Sequence, residues 1–509
     1  MYIRVHSRDN VGILVHPEGA AAGALFPEGL VARERIPQSH KIALRDLAAG
    51  EGVLRYGQTI GVANRAIQAG SWVREEMLDM PAAPPLDELP LATAVPAPLP
   101  PLEGYTFEGY RNADGTGTKN ILGLATTVQC VAPTVEYAAQ RIRAEILPRF
   151  PNVDGVVAIT HSYGCGVAIE APGAAVPIQT LRHIGLHANL AGQPLLVSLG
   201  CEKLQPSRLF EGGAAGDFPI LGEGNVIRLQ DERGFGESVA AIMRAAEKRL
   251  AELDRRRRRT VPASELVVGL QCGGSDAFSG ITANPALGVA SDLLVRAGAT
   301  TIITEITEFF GAEHLFAARA VNRHVAADIF RAMARFKNYV DRAGGSMADN
   351  PSPGNKEGGL LNITIKSLGA LAKSGRAPVQ GVLDYGVDVF SKNAPGLWLL
   401  YCSSYDQESV PAQVAAGCQI VCFTTGRGTG IGNAIAPVLK IGSNTPLYKR
   451  MAGDIDVSAG TILDGNQTVE EAGQQLFDRI LAVASGQTVK AEENGHREFM
   501  IWNEEGVSL

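Results

Sequence analysis

The chain has 509 residues, more than one simple core holds, and at ~100–200 residues per domain it divides into two to four domains. A composition of 45% hydrophobic and 19% charged residues is that of an ordinary globular protein. A net charge of -7 and a pI of about 5.8 exclude a generic nucleic-acid binder, which carries a basic balance. No apolar run approaches the ~18 residues that cross a bilayer. The start MYIRVHSRDN lacks an apolar stretch behind a basic end, so no membrane span and no secretory leader is expected. Seven cysteines, odd in number and scattered, make no disulfide framework and indicate reduced thiols and a cytoplasmic location.

Residues 1–78 read as a small β-rich module, in which the apolar runs YIRVH, VGILV, KIAL and GVLRY are separated by Gly, Pro and Asp turn signals. Residues 79–103 follow as a proline-rich linker, too dense in proline for helix and suited to an extended, semi-rigid spacer. Beyond it, buried-strand candidates at 121–128, 153–160, 194–200, 266–272, 300–306 and 419–425 alternate with helical stretches such as 134–147 and 285–298. An amphipathic helix near 468–485 closes the chain. This alternation predicts α/β units with mostly parallel sheets, divided as 104–260 and 261–509. The fold class is thus multidomain α/β behind a β-rich N-terminal domain. Arg255 to Arg259 follow the helical stretch ESVAAIMRAAEKRLAELD. They read as a solvated helix end complementing the dipole, with an anion-binding patch as the alternative.

In open parallel sheets ligands bind beyond the carboxyl ends of the strands. Four strand candidates here open into glycine-rich turns: HSYGCG with His161 and Cys165, GCEK with Cys201, Glu202 and Lys203, QCGGSD with Cys272, Ser275 and Asp276, and TGRGTG with Arg427 and Thr429. Imidazole, thiolate and carboxylate together suit iron, and three cysteines on strand ends leave an iron–sulfur cluster open. A cysteine in a tight turn is equally a small buried hydrophobe. In IPQSHKIAL, His40 is an acid/base candidate and Lys41 a carboxylate holder, although a lone histidine is more often a packing residue. The loop NPSPGNKEGG offers Asn350, Asn355 and Lys356 to carboxylates or hydroxyls, and GYRNADGTGTKN offers Arg111, Asn112 and Lys119 beside an ordinary hairpin. Neither a Walker pattern nor a dinucleotide fingerprint is present.

IPQSHKIAL, PPLEGYTFEGYRNADGTGTKN, YGCGVAI, GCEKLQP, PASELVVGLQCGGSDAFSGITANPA, NPSPGNKEGG, AKSG and FTTGRGTG together resemble the altronate/galactarate dehydratase family over nearly the whole chain. PPLEGYTFEGYRNADG and GCEKLQP look closest to its galactarate branch, and TEFFGAEHL more like the altronate branch. The resemblance implies an N-terminal SAF (β-clip) domain and dehydration of a sugar diacid to a 2-keto-3-deoxy acid. It also implies a divalent metal, usually Fe2+, with Mn2+ as another candidate.

On this basis His161, Cys165, Cys201, Glu202, Cys272 and Asp276 are the expected metal environment, and His40 and Lys41 the catalytic pair. Arg111, Asn112, Lys119, Asn350, Asn355, Lys356, Arg427 and Thr429 are the expected substrate contacts. The partners expected are a small sugar acid and a second copy of the chain in a homodimer, with no nucleic acid and no membrane. Altronate dehydration, a sulfo-lyase reaction on a sulfonated hydroxy acid and plain carbohydrate binding are the alternatives. Where the family carries Pro-Tyr-Gly after its RGT, this chain has Gly430, Ile431 and Gly432, a departure that bears on the substrate more than on the reaction class.

Overall fold

A computed structural model describes residues 1–80, 91–112, 115–166, 168–191, 194–210, 224–392 and 394–504. At the N-terminus, β1 (Tyr2–Ile3), β2 (Val11–Leu14), β3 (Lys41–Ala43), β4 (Gly52–Arg55), β5 (Gln58–Ala63), β6 (Trp72–Val73) and β7 (Leu78–Asp79) form two antiparallel sheets. Their orders are β1-β2-β3-β6 and β4-β5-β7. These strands are short and the loops between them carry the turn residues, as the punctuated sequence requires. Of the proline-rich linker, 81–90 lie outside the described residues. The remainder runs along the C-terminal region, where Ala94 N–H donates to Ala318 O at 2.9 Å and Leu102 N–H to Arg296 O at 2.8 Å.

The middle region contains β8 (Thr106–Asn112), β9 (Gly115–Gly117), β10 (Ile121–Thr126), β11 (Gly155–Ile159), β12 (Leu195–Ser198), β13 (Val226–Arg228) and β14 (Arg259–Pro262). A parallel sheet in the order β11-β10-β12-β13 is its core. Helices Ala132–Glu145 and Phe235–Leu253 bury Val135, Ile142, Ile242 and Leu250 in the core formed with Leu122, Leu124 and Val197. β14 returns to pair antiparallel with β8, so the two ends of this region meet.

The C-terminal region is built on one parallel sheet of β15 (Val267–Cys272), β16 (Thr300–Ile303), β17 (Val379–Leu383), β18 (Gly396–Leu400), β19 (Ile420–Thr425), β20 (Val438–Gly442) and β21 (Val457–Ser458). The order is β17-β18-β16-β15-β19-β20-β21. Every residue of β15 and β19 is buried, as expected of near-continuous apolar strands covered on both faces. From β15 the chain moves outward through β16, then crosses back to lay β19 on the other side. The switch between β15 and β19 opens a crevice at their carboxyl ends, and there QCGGSD meets TTGRG. Gly273 N–H donates to Thr424 O at 3.1 Å, and Arg427 N–H to Gly274 O at 2.7 Å.

Buried polar bolts join the middle and C-terminal regions. His187 Nε2 contacts Cys418 O at 3.1 Å while its Nδ1 accepts from Asn189 N–H at 3.1 Å. Asn189 Nδ2 donates to Ile435 O at 2.9 Å. The arginine run differs from a uniformly solvated helix end. Arg255, Arg257 and Arg259 are exposed, but the alternate residues turn inward over the Tyr110 ring, at 5.2 Å for Arg256 and 4.7 Å for Arg258. Arg256 Nη1 also donates to Asn120 Oδ1 at 2.7 Å, and Arg258 Nη1 to Glu108 O at 2.7 Å. The chain is extending into β14 at this point, and its period-two alternation sorts the arginines. No helix among the described residues is long and apolar enough to cross a membrane.

Burial holds the pKa of His187 down at about 4 and that of His161 likewise at about 4. An unfolded histidine takes its proton near 6.5, so the stability these residues contribute is full above that pH and is lost as pH falls towards 4. Below pH 6.5, wild-type unfolding free energy should decline more steeply than that of His187→Asn, by up to ~1.4 kcal/mol per pH unit. Urea titrations between pH 6.5 and 5 measure the difference, and parallel slopes would mean that His187 is charged in the fold.

Candidate active site

The carboxyl ends of β15 and β16 deliver a cluster of charged groups into the protein interior. Cys272 ends β15, and β16 leads into Glu305 and Glu308. Glu305 has φ +74°, a left-handed conformation that a non-glycine residue adopts at a cost and that recurs at functional sites. Its Oε2 accepts from Cys272 N–H at 3.1 Å and from Lys373 Nζ at 2.5 Å. Glu308 Oε2 accepts from Cys272 Sγ at 2.9 Å and from Lys373 Nζ at 3.2 Å, and its Oε1 pairs with Lys366 Nζ at 2.9 Å. Lys373 Nζ also lies 2.9 Å from Cys272 Sγ. Lys366 comes from helix Ile363–Leu371 and Lys373 from the turn after it, both otherwise uncharged.

Electrostatics sort these groups. Burial and the neighbouring carboxylates push the Cys272 thiol well up. Burial and the charge of Glu308 also raise Glu305 well above the carboxylate range. Burial opposes ionisation of Glu308 too, but Lys366 and Lys373 outweigh it and hold that carboxyl low. Asp406, at the start of the helix after β18, is raised to about 7 by burial, and its Oδ1 faces Gln271 Nε2 at 3.3 Å.

Cys272, Glu305 and Glu308 offer donor atoms within 4.8 Å of one another. One thiolate and two carboxylates fit a divalent transition metal in kind, and the buried Glu305 Oε1 has no hydrogen-bond partner, leaving a donor for such an ion. Lys373 now holds the central positive charge.

Around this cluster the glycine-rich loops are tied together by Asp276. Its carboxylate accepts from Ser279 N–H at 2.8 Å, Ser443 Oγ at 3.0 Å and Asn444 Nδ2 at 3.1 Å. A Cβ on Gly426 would fall 2.2 Å from the Asp276 carboxyl carbon, so the β19 turn needs glycine to lie on it. The 350–359 loop bridges the cluster to the N-terminal module. At one end Asn350 Oδ1 accepts from Lys366 Nζ at 3.0 Å. At the other, His40 Nε2 meets Glu357 O at 3.2 Å, Lys41 Nζ donates to Gly359 O, and Lys356 Nζ pairs with Glu75 at 2.7 Å. Asn355 is buried within that loop, Arg427 Nη2 pairs with Glu357 at 3.2 Å, and Thr429 Oγ1 accepts from Ile431 N–H at 3.2 Å. The His40 ring rests edge-on against Trp72, and burial with Lys41 alongside lowers its pKa to about 4.

The other expected site residues lie elsewhere. His161 is at the carboxyl end of β11, with Nε2 on Thr126 O at 2.8 Å and Nδ1 accepting from Tyr163 N–H at 3.1 Å, so the backbone takes both nitrogens. Glu202 accepts from Ser198 Oγ at 2.5 Å and Gly200 N–H at 2.7 Å. Cys165 and Cys201 are exposed, the latter accepting from Gln230 Nε2 at 3.3 Å. Arg111 pairs with Glu265 at 2.7 Å, Asn112 Nδ2 donates to Ala188 O at 2.8 Å, and Lys119 pairs with Glu492 at 2.6 Å. Arg111 pairs just before β15 begins, and Lys119 lies just before β10, so both sit at the amino ends of these strands, away from the crevice.

Sequence reasoning missed Glu305, Glu308, Lys366, Lys373 and Asp406. A signal was there: two glutamates three apart directly after the apolar strand TTII, and two lysines inside the apolar stretch LNITIKSLGALAKSG.

Three family models together span the chain: the altronate/galactarate dehydratase SAF domain over residues 1–81, the D-galactarate dehydratase/altronate hydrolase second domain over 109–254, and the D-galactarate/altronate dehydratase C-terminal domain over 263–507. They define a dehydratase of the hydro-lyase class, with a SAF domain ahead of a large α/β region. Galactarate dehydratase (L-threo-forming) of Escherichia coli strain K12 is 49% identical over 509 residues, covering 99% of this chain and 96% of that protein. Altronate dehydratase of Bacillus subtilis strain 168 is 34% identical, covering 100% and 99%. The (2R)-sulfolactate sulfo-lyase subunit beta of Chromohalobacter salexigens is 33% identical, covering 79% and 98%. The chain belongs to the D-galactarate/altronate dehydratase family.

Removing the central cation should expose how the cluster is balanced. Lys373→Met leaves Glu308 buried beside a lost partner and is expected to lower unfolding free energy by about 3–5 kcal/mol. Lys356→Met breaks a half-exposed pair with Glu75 and should cost less than about 1 kcal/mol. Urea midpoints compare the two, and equal losses would contradict a charge-balanced core unit.

Proposed function

We propose that this enzyme removes water from a sugar diacid, galactarate or a close epimer, to give a 2-keto-3-deoxy (5-dehydro-4-deoxy) sugar acid. The observation that carries the reading is the 49% identity, along 99% of the chain, to a galactarate dehydratase. It exceeds the 34% and 32% shared with two altronate dehydratases.

The reaction takes the proton α to a carboxylate and expels the β-hydroxyl, so negative charge grows on the carboxylate oxygens as the bond breaks. Cys272, Glu305 and Glu308 are the residues that would hold a divalent ion, and Fe2+, the metal the family resemblance implies, is the one we assign. When bound, such an ion supplies Lewis-acid stabilisation of that charge. His40 is the acid/base group. Its neutral imidazole is ready to accept a proton, and a dianionic substrate beside it would raise its affinity for one. Lys41 fixes the segment that presents it, through Gly359 O.

Arg427, Lys356, Asn350, Asn355 and Thr429, on the 350–359 and 424–430 turns, are the groups we assign to the substrate's hydroxyls and a carboxylate. Arg111 and Lys119 join the middle and C-terminal regions at the far strand ends, while Asn112 is held within the middle region by Ala188 O and Arg256. The SAF domain, linker and two α/β regions divide at 78/79, 103/104 and 260/261 in this reading. Seven free cysteines suit a reducing cytoplasm, and a homodimer is the assembly we assign.

The test is anaerobic turnover of galactarate, altronate and sulfolactate with added ferrous iron. Galactarate should be dehydrated and a chelator should stop it. His40→Ala should lower turnover roughly 10²–10⁴-fold with bound metal unchanged, and Cys272→Ala should lower bound metal. Sulfite release from sulfolactate without dehydration of either sugar acid would replace this reading, and full activity in His40→Ala would remove His40 from it.

A further inference from the structure

The hairpin of β4 and β5 turns through Tyr56 and Gly57, both at positive φ (55° and 68°), the pattern of a tight two-residue turn. This tip is inserted into the C-terminal region. A Cβ on Gly280 would lie 2.4 Å from the Tyr56 hydroxyl, and Gly369 packs against the same spot, so glycine at both positions makes room for it. Arg55, the last residue of β4, is carried inside with the tip and is 0% exposed. None of its Nε, Nη1 or Nη2 has a hydrogen-bond partner among the described residues; its guanidinium only stacks over the Tyr56 ring, at 4.5 Å. Lys41 is fully buried too, and that burial together with the charge of Arg55 pushes its ammonium well below the usual lysine range; neither residue forms an ion pair among the described residues. Two desolvated cations with five unused guanidinium N–H donors between them need an anion, and a planar fork matches a carboxylate on two parallel bonds.

We propose that Arg55, with Lys41 at its side, binds the distal carboxylate of the substrate, the one not attached to the reacting carbon. This rests on the sugar-diacid reading above. The basic groups nearer the surface are already engaged, Arg427 by Glu357 and Lys356 by Glu75, so they are poorer anchors than a guanidinium with no acceptor. Gly369, against the Tyr56 hydroxyl at the hairpin tip, stands three residues from Lys366 on the same helix, and Lys366 reaches Glu308. The hairpin that carries Arg55 and the acid cluster thus meet one helix about a turn apart. In this proposal the hairpin and the acid cluster hold the two ends of the diacid. Arg55 is a specificity-determining residue on this reading: a monoacid of equal length leaves it unpaired.

The experiment compares wild type, Arg55→Gln and Arg55→Lys in galactarate turnover, with bound metal measured alongside. Arg55→Gln should raise KM for galactarate roughly 10–100-fold with metal content unchanged, and Arg55→Lys should fall between, since it keeps the charge and loses the fork. A KM within twofold of wild type in both variants overturns the proposal. If Arg55→Gln does not fold, Arg55→Lys alone decides by the same criterion. A resident small anion is the other source of the same chemistry. Phosphate, sulfate or chloride released stoichiometrically from denatured wild type but not from Arg55→Lys, with KM unchanged, would assign Arg55 to that ion and overturn the substrate role. Should wild type turn over no sugar acid, the dehydratase reading fails by itself. Arg55 is then judged by whether galactarate raises the melting temperature of wild type more than that of Arg55→Lys, and equal shifts sink it.

Discussion

Charges buried beyond the carboxyl ends of β15 and β16 must neutralise one another, and much of the architecture follows from that constraint. A lone carboxylate in such a place would stay protonated or unfold the strand end that carries it. Here Glu308 remains ionised because Lys366 and Lys373 approach it from one helix and the turn after it, while Glu305 and the Cys272 thiol are driven towards their neutral forms. The helix that brings the lysines must therefore pack tightly, and most of Ile363–Leu371 is buried. The left-handed backbone at Glu305 is the local cost of turning its carboxyl back over Cys272. Cys272, Glu305 and Glu308 all converge on the Lys373 ammonium.

The SAF domain has a core of its own around Leu14, Phe26, Ile36 and Ile42, and it also leans on the 350–369 segment. Gly359 accepts Lys41 and leaves no room for a Cβ beside Ser39, and Asn362 Nδ2 donates to Ile60 O at 2.7 Å. The contact sets His40, Lys41 and the Tyr56 tip against the C-terminal region. On the diacid reading proposed above, a site divided in this way would hold both ends of an elongated ligand.

The large features were legible because they rest on local periodicity. The strand candidates at 121–128, 266–272 and 419–425 became the fully buried parallel strands Ile121–Thr126, Val267–Cys272 and Ile420–Thr425, and the helical spacing at 285–298 became the helix Ala283–Arg296 that packs on them. The glycine-rich turns were rightly read as strand ends, but strand ends in two different sheets look alike in sequence. His161 and Glu202 therefore grouped with Cys272 on paper, whereas the fold puts them on the β10–β12 sheet, satisfied by their own loops. Glu305, Glu308, Lys366 and Lys373 escaped notice because a charged residue is ordinarily a surface residue. Their meaning lies in apolar neighbours on both sides, a tertiary fact only hinted at by the sequence. Arg55 was hidden for the same reason, inside a hairpin that reads as an ordinary amphipathic turn.

The departure at Gly430–Gly432 also changes meaning once it is placed. Gly432 is needed where it stands: a Cβ there would come 2.6 Å from the His496 backbone oxygen, and its N–H donates to Glu498 Oε2 at 2.8 Å. Ile431 is buried, and Gly430 lies where a Cβ would sit 3.5 Å from the His496 ring, which also meets Lys440 Nζ at 3.5 Å. The altered residues are thus packed against the C-terminal segment on the far side of the TGRG turn from Asp276. None of their contacts reaches the Cys272 cluster, so on the reading proposed above they would bear on substrate preference only through the turn that carries Arg427. A change there would alter how one basic side chain is presented and leave the balance of buried charge around Glu308 intact.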